Sequence, residues 1–469
     1  MPATKELRVR PGQVLLMVGT MKGIFLFASN VARKKWDMGG PHFAGSPVYA
    51  LAHDSRHGHR IIAGVENPFF GPTVRWSDDL GRTWTAPAES KLKFPADTGQ
   101  SLKRVWQLTP TGKNGTLYAG VEPTALFVSH DRGANWDLVR GLFDHPHRPR
   151  WEPGFGGKCL HTILPDPKRP ERMLIAMSTG GVYRTEDGGA HWQARNVGVR
   201  AEFLPNKFPE FGQCVHKIAR HPARPDTLFL QNHWGLYRSD DGGDSWRDIA
   251  NGVPSDFGFC IAIHPHDPEV VYIVPLESDS YRCTPEGKMR VYRTRNGGKC
   301  WEPLTNGLPQ KNAHETVLRD ALTVDALNPA GVYCGTRSGK LYASPDGGTT
   351  WSLVADGLPQ VLCVRAAVIG DPGKLRVPAA AAARAAGSRA TAKAAKPGAV
   401  QSVKKVAPAK TVKPAARAAK PAAKAAKAAK AGKPSARAAK PTVGKAPSKP
   451  PAKRPSAKPA ARTKPKRAR

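Results

Sequence analysis

The sequence predicts an all-β fold: a seven-bladed β-propeller of four-stranded blades with end-to-end strand closure, followed by a disordered basic tail. Three observations carry this. A short turn motif returns along the chain at spacings of 48, 52, 56, 54, 55 and 50 residues. Four strand-like patterns return inside each period. The strand missing from the first period stands at the end of the last one. A fixed period of this size marks a propeller or a solenoid.

The motif runs hydroxyl, any residue, acid, any residue, Gly, two residues, Trp. Full copies are SDDLGRTW (77–84), SHDRGANW (129–136), TEDGGAHW (185–192), SDDGGDSW (239–246) and SPDGGTTW (344–351). A sixth, TRNGGKCW, carries Asn296 in place of the acid, and a seventh, ending at Trp36, keeps only its ends. Gly permits the positive φ of a tight turn, the acid accepts hydrogen bonds from turn amides, and Trp packs beneath the hairpin. Asp79, Asp131, Asp187, Asp241 and Asp346, with Trp84, Trp136, Trp192, Trp246, Trp301 and Trp351, are therefore read as scaffold. A feature repeated on every blade is structure before it is a site.

The strands follow in order. An inner strand recurs as VYALA, VWQLT, LHTIL, VHKIA, CIAIH, RDALT and VRAAV, and a second as RIIAGV, TLYAGV, RMLIAM, TLFLQN, VVYIVP and GVYCGT. A third, such as GLYRS, enters the Trp motif, and a fourth, such as WRDIA, leaves it. Four antiparallel strands make a blade. The chain opens with a second-type strand, LLMVGT, and the inner strand it lacks is VLCVRAAV at 361–368. Closing the ring with that strand hides edges that would otherwise stay unpaired. The expected domains are an extension over 1–12, the propeller over 13–370 and the tail over 371–469.

Charge divides the chain the same way. Residues 371–469 hold 28 Lys plus Arg against one acid, so they contribute +27 of the total +35 and the first 370 residues only +8. With almost no aliphatic or aromatic residues beyond Ala and Val, the tail cannot bury enough apolar surface to fold. No apolar run is long enough to span a bilayer and the start lacks an apolar leader, which points to the cytoplasm. Seven cysteines without CxxC spacing suit free thiols.

Function is expected on one face. Short connections lie beside the Trp turns, whereas long ones, including 141–158, 196–213 and 276–289, lie opposite, and long loops on one face usually carry function. The inner strands give one aligned column, Tyr49, Trp106, His161, His216, Ile261, Asp320 and Arg365. Around it are placed Glu66, Glu122, Cys159, Cys214, His233, Glu277, Arg319 and Arg337. Tyr49, Trp106, His161, His216, His233, Glu122 and Glu277 are the candidate ligand-binding set. His161, His216 and His233, with Cys159 and Cys214, have atoms that suit zinc, but their spacing follows the blade repeat, so no metal or other cofactor is expected.

The turn motifs resemble the Asp-box, or BNR, repeat of sialidases, sortilin-type receptors, xyloglucan hydrolases and photosystem II assembly factors, over about residues 13–370. The wording of QCVHKIARHP, QNHWGLYRSDDGG and IAIHPHDP is similar to bacterial proteins labelled exo-sialidase or glycosyl hydrolase. That resemblance implies an Asp box remote from substrate. A sialidase-like site would need three Arg on a carboxylate, a Tyr with a partnering Glu, and an acid. Glu66, Tyr49, Asp320, Arg319, Arg337 and Arg365 are the catalytic candidates. Two carboxylates drawn from Glu66, Glu122, Glu277 and Asp320 would equally suit general glycoside hydrolysis.

The tail, with its AAKP variations, resembles the C-terminal domain of linker histones. Its density of charge, without stacking aromatics, implies salt-dependent, sequence-independent binding to nucleic acid, with Lys420, Lys424, Lys427, Lys430, Lys433, Lys453 and Arg454 among the contacts. The favoured expectation is a non-catalytic binding propeller, taking a carbohydrate or other polar ligand at its mouth and held on the nucleoid by its tail. The alternative is a glycoside hydrolase of sialidase-like type at the same face.

Overall fold

A computed structural model describes residues 6–112 and 114–377. The tail lysines and arginine named above lie outside the described residues. Among the described residues twenty-seven strands form seven sheets. Their inner-to-outer order is sequential in every blade except the first, where Val361–Val368 is innermost and pairs antiparallel with Val14–Thr20, followed by Gly23–Ser29 and Asp37–His42. The ring therefore closes by pairing the last strand with the first, Val14 opposite Val368 and Met17 opposite Arg365.

Closure follows from which faces are apolar. VLLMV at 14–18 is apolar throughout because both faces of a blade are buried against neighbours. Alternation then divides the strand: Leu16 and Val18 pack with Val332, Tyr333 and Val361, while Leu15 and Met17 pack with Leu51, Ile61 and Ala63 of the second blade. Six blades have four strands. The second has three, Val48–Asp54, Arg60–Asn67 and Gly71–Ser77. After Trp84 the chain enters TAPAE, where Thr85 still bonds back to Trp76 but Pro87 opens a 3₁₀ turn instead of a fourth strand.

The turn motif has the geometry its residues dictate. Ser239 Oγ donates to Asp241 at 2.7 Å and accepts from the Gly243 amide at 2.8 Å, while Asp241 accepts from the Ser245 amide at 3.0 Å. Gly243 sits at φ 96°. Trp246 is 5% exposed and its indole donates to the Arg195 carbonyl of the preceding blade at 2.9 Å. The pattern repeats at Asp79, Asp131, Asp187 and Asp346, and Asn296 reproduces it with an amide. None of these acids is directed at a cavity of the opposite face. Among the described residues no helix is long and apolar enough to cross a membrane.

Candidate ligand-binding mouth

One backbone irregularity builds the site. In the inner strands of the second to fifth blades the ladder skips one residue, between Val48 and Ala50, Val105 and Gln107, Leu160 and Thr162, and Val215 and Lys217. The skipped residues are Tyr49, Trp106, His161 and His216. A bulge leaves one residue out of the pairing and re-aims its side chain. In the sixth blade the irregularity falls between Gly258 and Ile261 and in the first between Val361 and Cys363, which puts Phe259 and Leu362 in the column rather than Ile261 and Arg365. A period-of-two reading cannot see a bulge, which is why the expected column was offset by two or three residues in those blades.

Two adjoining cavities open on the long-loop face. One, of about 510 Å³, is lined by Glu152–Gly156, Cys159, Ser178, Thr179, Phe203, Cys214, His216, His233, Trp234, Asp279 and others. The other, of about 390 Å³, is lined by Tyr49, Arg104, Trp106, Asp320, Arg337 and Leu362 among others. Phe155, Gly156, Phe259, Arg282 and Arg319 border both. The long loops thus reach the mouth, and Gly157 (φ 94°) lets the 152–157 loop cross Glu122, since a Cβ there would stand 2.3 Å from its carboxylate.

Aromatic and cationic side chains alternate round the second cavity. Arg104 lies over Tyr49 at 4.0 Å and Trp106 at 5.0 Å, Arg319 over Trp106 at 5.4 Å, and Arg282 over Phe155 and Phe259 at 5.2 and 5.5 Å. Cation–π contact orients each guanidinium without neutralising it. Arg319 Nε donates to the His216 carbonyl at 2.5 Å, Arg282 Nε to the Asp279 carbonyl at 2.7 Å, and Arg337 to Gln360 at 3.3 Å. Among the described residues none of these three has a carboxylate partner.

The candidate acids fare differently. Glu66 is ion-paired with Arg104, and Glu122 accepts from the Trp106 indole at 3.1 Å with Arg104 3.9 Å away. Asp320 is 5% exposed and held between Lys217 at 2.7 Å and Arg365 at 2.5 Å. Burial pushes its pKa up, but the two cations outweigh burial and hold its carboxyl well below the usual carboxylate range. Arg365 is thereby spent on Asp320 and does not join the open arginines. Glu277 is exposed and borders neither cavity. Tyr49 donates to Met21 Sδ at 3.7 Å rather than to Glu66, and its pKa is raised, by burial first.

The histidines separate into two kinds. His161 is fully buried, its Nε2 2.9 Å from the Val215 carbonyl and 3.2 Å from Ser178 Oγ, so it is a core residue behind the mouth. His216 and His233 border the larger cavity beside Cys214, whose thiol burial pushes up to about 11. Burial also lowers both histidines, His216 well below its ordinary value. Sequence reasoning did not single out Arg104, Lys217, Arg282, Glu152 or Asp279. Only their positions in or beside the long loops and inner strands pointed to them.

Fold and site together define a propeller with a basic, aromatic-lined mouth. No protein-family model matches the chain. In sequence it is 25% identical over 211 residues to the oligoxyloglucan-reducing end-specific xyloglucanase of Emericella nidulans, covering 39% of this chain and 25% of that one. It is 31% identical over 156 residues to a xyloglucanase of Hypocrea jecorina, covering 31% and 18%. The matched stretches thus span about a quarter or less of those two relatives. Similar solved structures include an ancestral GH74 enzyme (TM-score 0.46, 18% identity, 66% of this chain and 38% of that one) and YCF48 from Cyanidioschyzon merolae (0.45, 16%, 67% and 87%).

Proposed function

We propose that the chain is a propeller of glycoside-hydrolase type whose long-loop mouth takes a saccharide through a carboxylate group. The observation that carries this is the set Arg282, Arg319 and Arg337, three guanidiniums round one cavity with no acid partner among the described residues. Arg104, Lys217 and Arg365 nearby are each matched by Glu66, Glu122 or Asp320. Guanidiniums presented in this way match a carboxylate bidentately. Trp106, Phe155 and Phe259 offer flat apolar faces for a sugar ring, Phe155 being 91% exposed. The xyloglucanases among its sequence relatives support the reaction class, hydrolysis of a glycosidic bond.

Two carboxylates border the larger cavity without being locked between cations. Among the described residues Glu152 has no ion-pair partner, and the Asp279 carboxylate is paired with His233 alone, at 3.2 Å. In this reading one protonates the leaving oxygen and the other activates water or attacks carbon. Asp320, held ionised by Lys217 and Arg365, is assigned to structure. The test is hydrolysis and equilibrium binding across paired glycosides with and without a ring carboxylate. Arg319→Ala and Arg337→Ala should weaken the carboxylate-bearing member about 10- to 100-fold, from the worth of a charged hydrogen bond, and leave its neutral partner unchanged. Preference for the neutral glycosides would overturn the carboxylate assignment. Binding without turnover by any glycoside would overturn hydrolysis.

We infer separately that residues 371–469 hold the propeller on nucleic acid. Support for this is compositional, +27 over a segment with one acid and no aromatic residue.

A further inference from the structure

We propose that Cys214, His216 and His233 form a transition-metal site of the zinc class in the wall of the larger cavity, a site that shares Asp279 with the saccharide reading but is tested by metal uptake alone. One ligand atom from each lies within 4.8 Å of the others. Cys214 Sγ and His216 Nε2 are 3.7 Å apart. A tetrahedral zinc with Zn–S of about 2.3 Å and Zn–N of about 2.05 Å has an S···N edge of about 3.6 Å. That edge is already set, and the remaining two, at most 4.8 Å, close to tetrahedral edges of about 3.4 to 3.6 Å by side-chain adjustment.

Local structure explains the convergence. Cys214 and His216 flank Val215, and the bulge at His216 turns its ring out of the ladder. His233 follows the partner strand, Arg224–Asn232, and its amide bonds the Cys214 carbonyl at 3.0 Å, which fixes the two residues side by side. The outer partners are those metal-bound histidines require. His216 Nδ1 lies 2.5 Å from the Gly258 carbonyl, which can only accept, so Nδ1 carries the proton and Nε2 presents its lone pair toward Cys214. His233 Nε2 faces Asp279 Oδ2 at 3.2 Å, so in the proposed site Nε2 would carry the proton held by that carboxylate and Nδ1 would serve as the ligand. A carbonyl and a carboxylate behind two imidazoles are the usual second layer of such a site.

Cys214 and His216 are buried and His233 half-buried, yet all three border the cavity, so the fourth position opens onto it. Three protein ligands with an open position characterise a reactive rather than a closed structural zinc. Arg282 and Arg319 border the same space. The thiolate adds one negative charge beside them, and the fourth position is suited to an anionic or hydroxide ligand.

The test uses the full chain, stripped with a chelator and titrated with Zn²⁺ and, in parallel, Co²⁺. One equivalent should bind, and the cobalt form should show thiolate-to-metal charge-transfer absorption. Cys214→Ser should abolish that absorption and weaken Zn²⁺ binding at least tenfold, and His233→Gln should weaken it while the thermal transition stays in place. Cys300→Ser, at an exposed thiol elsewhere, should change nothing. Failure to take up a stoichiometric ion overturns the assignment. So does charge-transfer absorption that survives both Cys214→Ser and His233→Gln, or that disappears in Cys300→Ser.

Discussion

Arg33 and Asp325 stand 292 residues apart in the chain and meet as an ion pair at 2.9 Å, with neither side chain reaching solvent. Arg33 also donates to the carbonyls of Pro329 and Pro345, and Asp325 accepts from the amides of Leu327 and Gly331 and from the Tyr333 hydroxyl. Beside them Trp36 meets Tyr333 edge-on at 5.8 Å. The degenerate first turn, which lost its acid and glycine, thus fastens the first blade to the seventh at the rim, while strand pairing closes the ring at the axis. Removing one member strands a buried charge. Arg33→Met should lower unfolding free energy by about 3–5 kcal/mol, read as a fall in the denaturant midpoint. A loss under about 1 kcal/mol would remove this pair from the account of closure.

The turn acids make stability depend on pH in a definite direction. Against the opposing effect of burial, hydrogen bonds from Ser245 and Ser239 bring Asp241 down to about 2, and Asp79 and Asp131 are lowered by the same kind of bonds. A carboxyl whose folded pKa lies below its unfolded value of about 3.9 binds more protons when unfolded. Its contribution is present above about pH 4 and is lost as pH falls from there toward 2. Asp241→Asn should fold, because Asn296 serves the sixth turn, and should flatten this part of the stability curve. Acid titration of the denaturant midpoint checks it, and an unchanged slope would show that the turn acids are not responsible.

What could be read from sequence follows from how local each feature is. The turn at Asp241 is made within eight residues, Ser239 to Trp246, so its pattern is visible in the string. Closure was readable because the strand types are distinct, the first period lacks its inner strand and a lone inner strand, Val361–Val368, stands at the far end. The mouth was readable only in part. Tyr49, Trp106 and His216 came from a column in register, but the bulges that aim them, and the offset that substitutes Phe259 and Leu362 for Ile261 and Arg365, depend on backbone geometry with no residue signature. Arg282 and Arg319 become neighbours only when the fifth, sixth and seventh blades are assembled. His161 shares its neighbours' pattern, yet a carbonyl and a hydroxyl satisfy it in the core.

Asp320 tests whether the acid deepest in the mouth is scaffold or chemistry. It pairs with Lys217 and Arg365 at once, and a proton donor must instead titrate near the working pH. Asp320→Asn leaves two half-buried cations facing an amide, so it should destabilise the propeller by about 1–3 kcal/mol. Replacing Lys217 by Met in the same chain should recover part of that loss, because one cation is then enough for the amide's oxygen. Loss of glycoside turnover in Asp320→Asn with an unshifted thermal transition would reverse the assignment.

The basic tail offers a test that leaves the propeller intact. The closing strand ends at Val368, so a chain ended after Gly370 keeps every blade while losing Lys420, Lys424, Lys427, Lys430, Lys433, Lys453, Arg454 and the rest of the +27. The full chain should bind duplex DNA with an affinity that falls steeply with salt, log K changing by about −0.9 per phosphate contact for each unit of log salt. Charge that reads only the backbone cannot separate sequences, so duplexes of unrelated sequence should compete equally. The shortened chain should show no retention at low salt and a cooperative thermal transition, lowered only by the loss of Leu375 and Val377, which pack against the core. Equal DNA affinity with and without the tail would place binding on the propeller, whose own +8 would then have to be concentrated on one face. Inorganic polyphosphate displacing DNA at equal charge would identify the tail as a general polyanion grip and not a nucleic-acid reader.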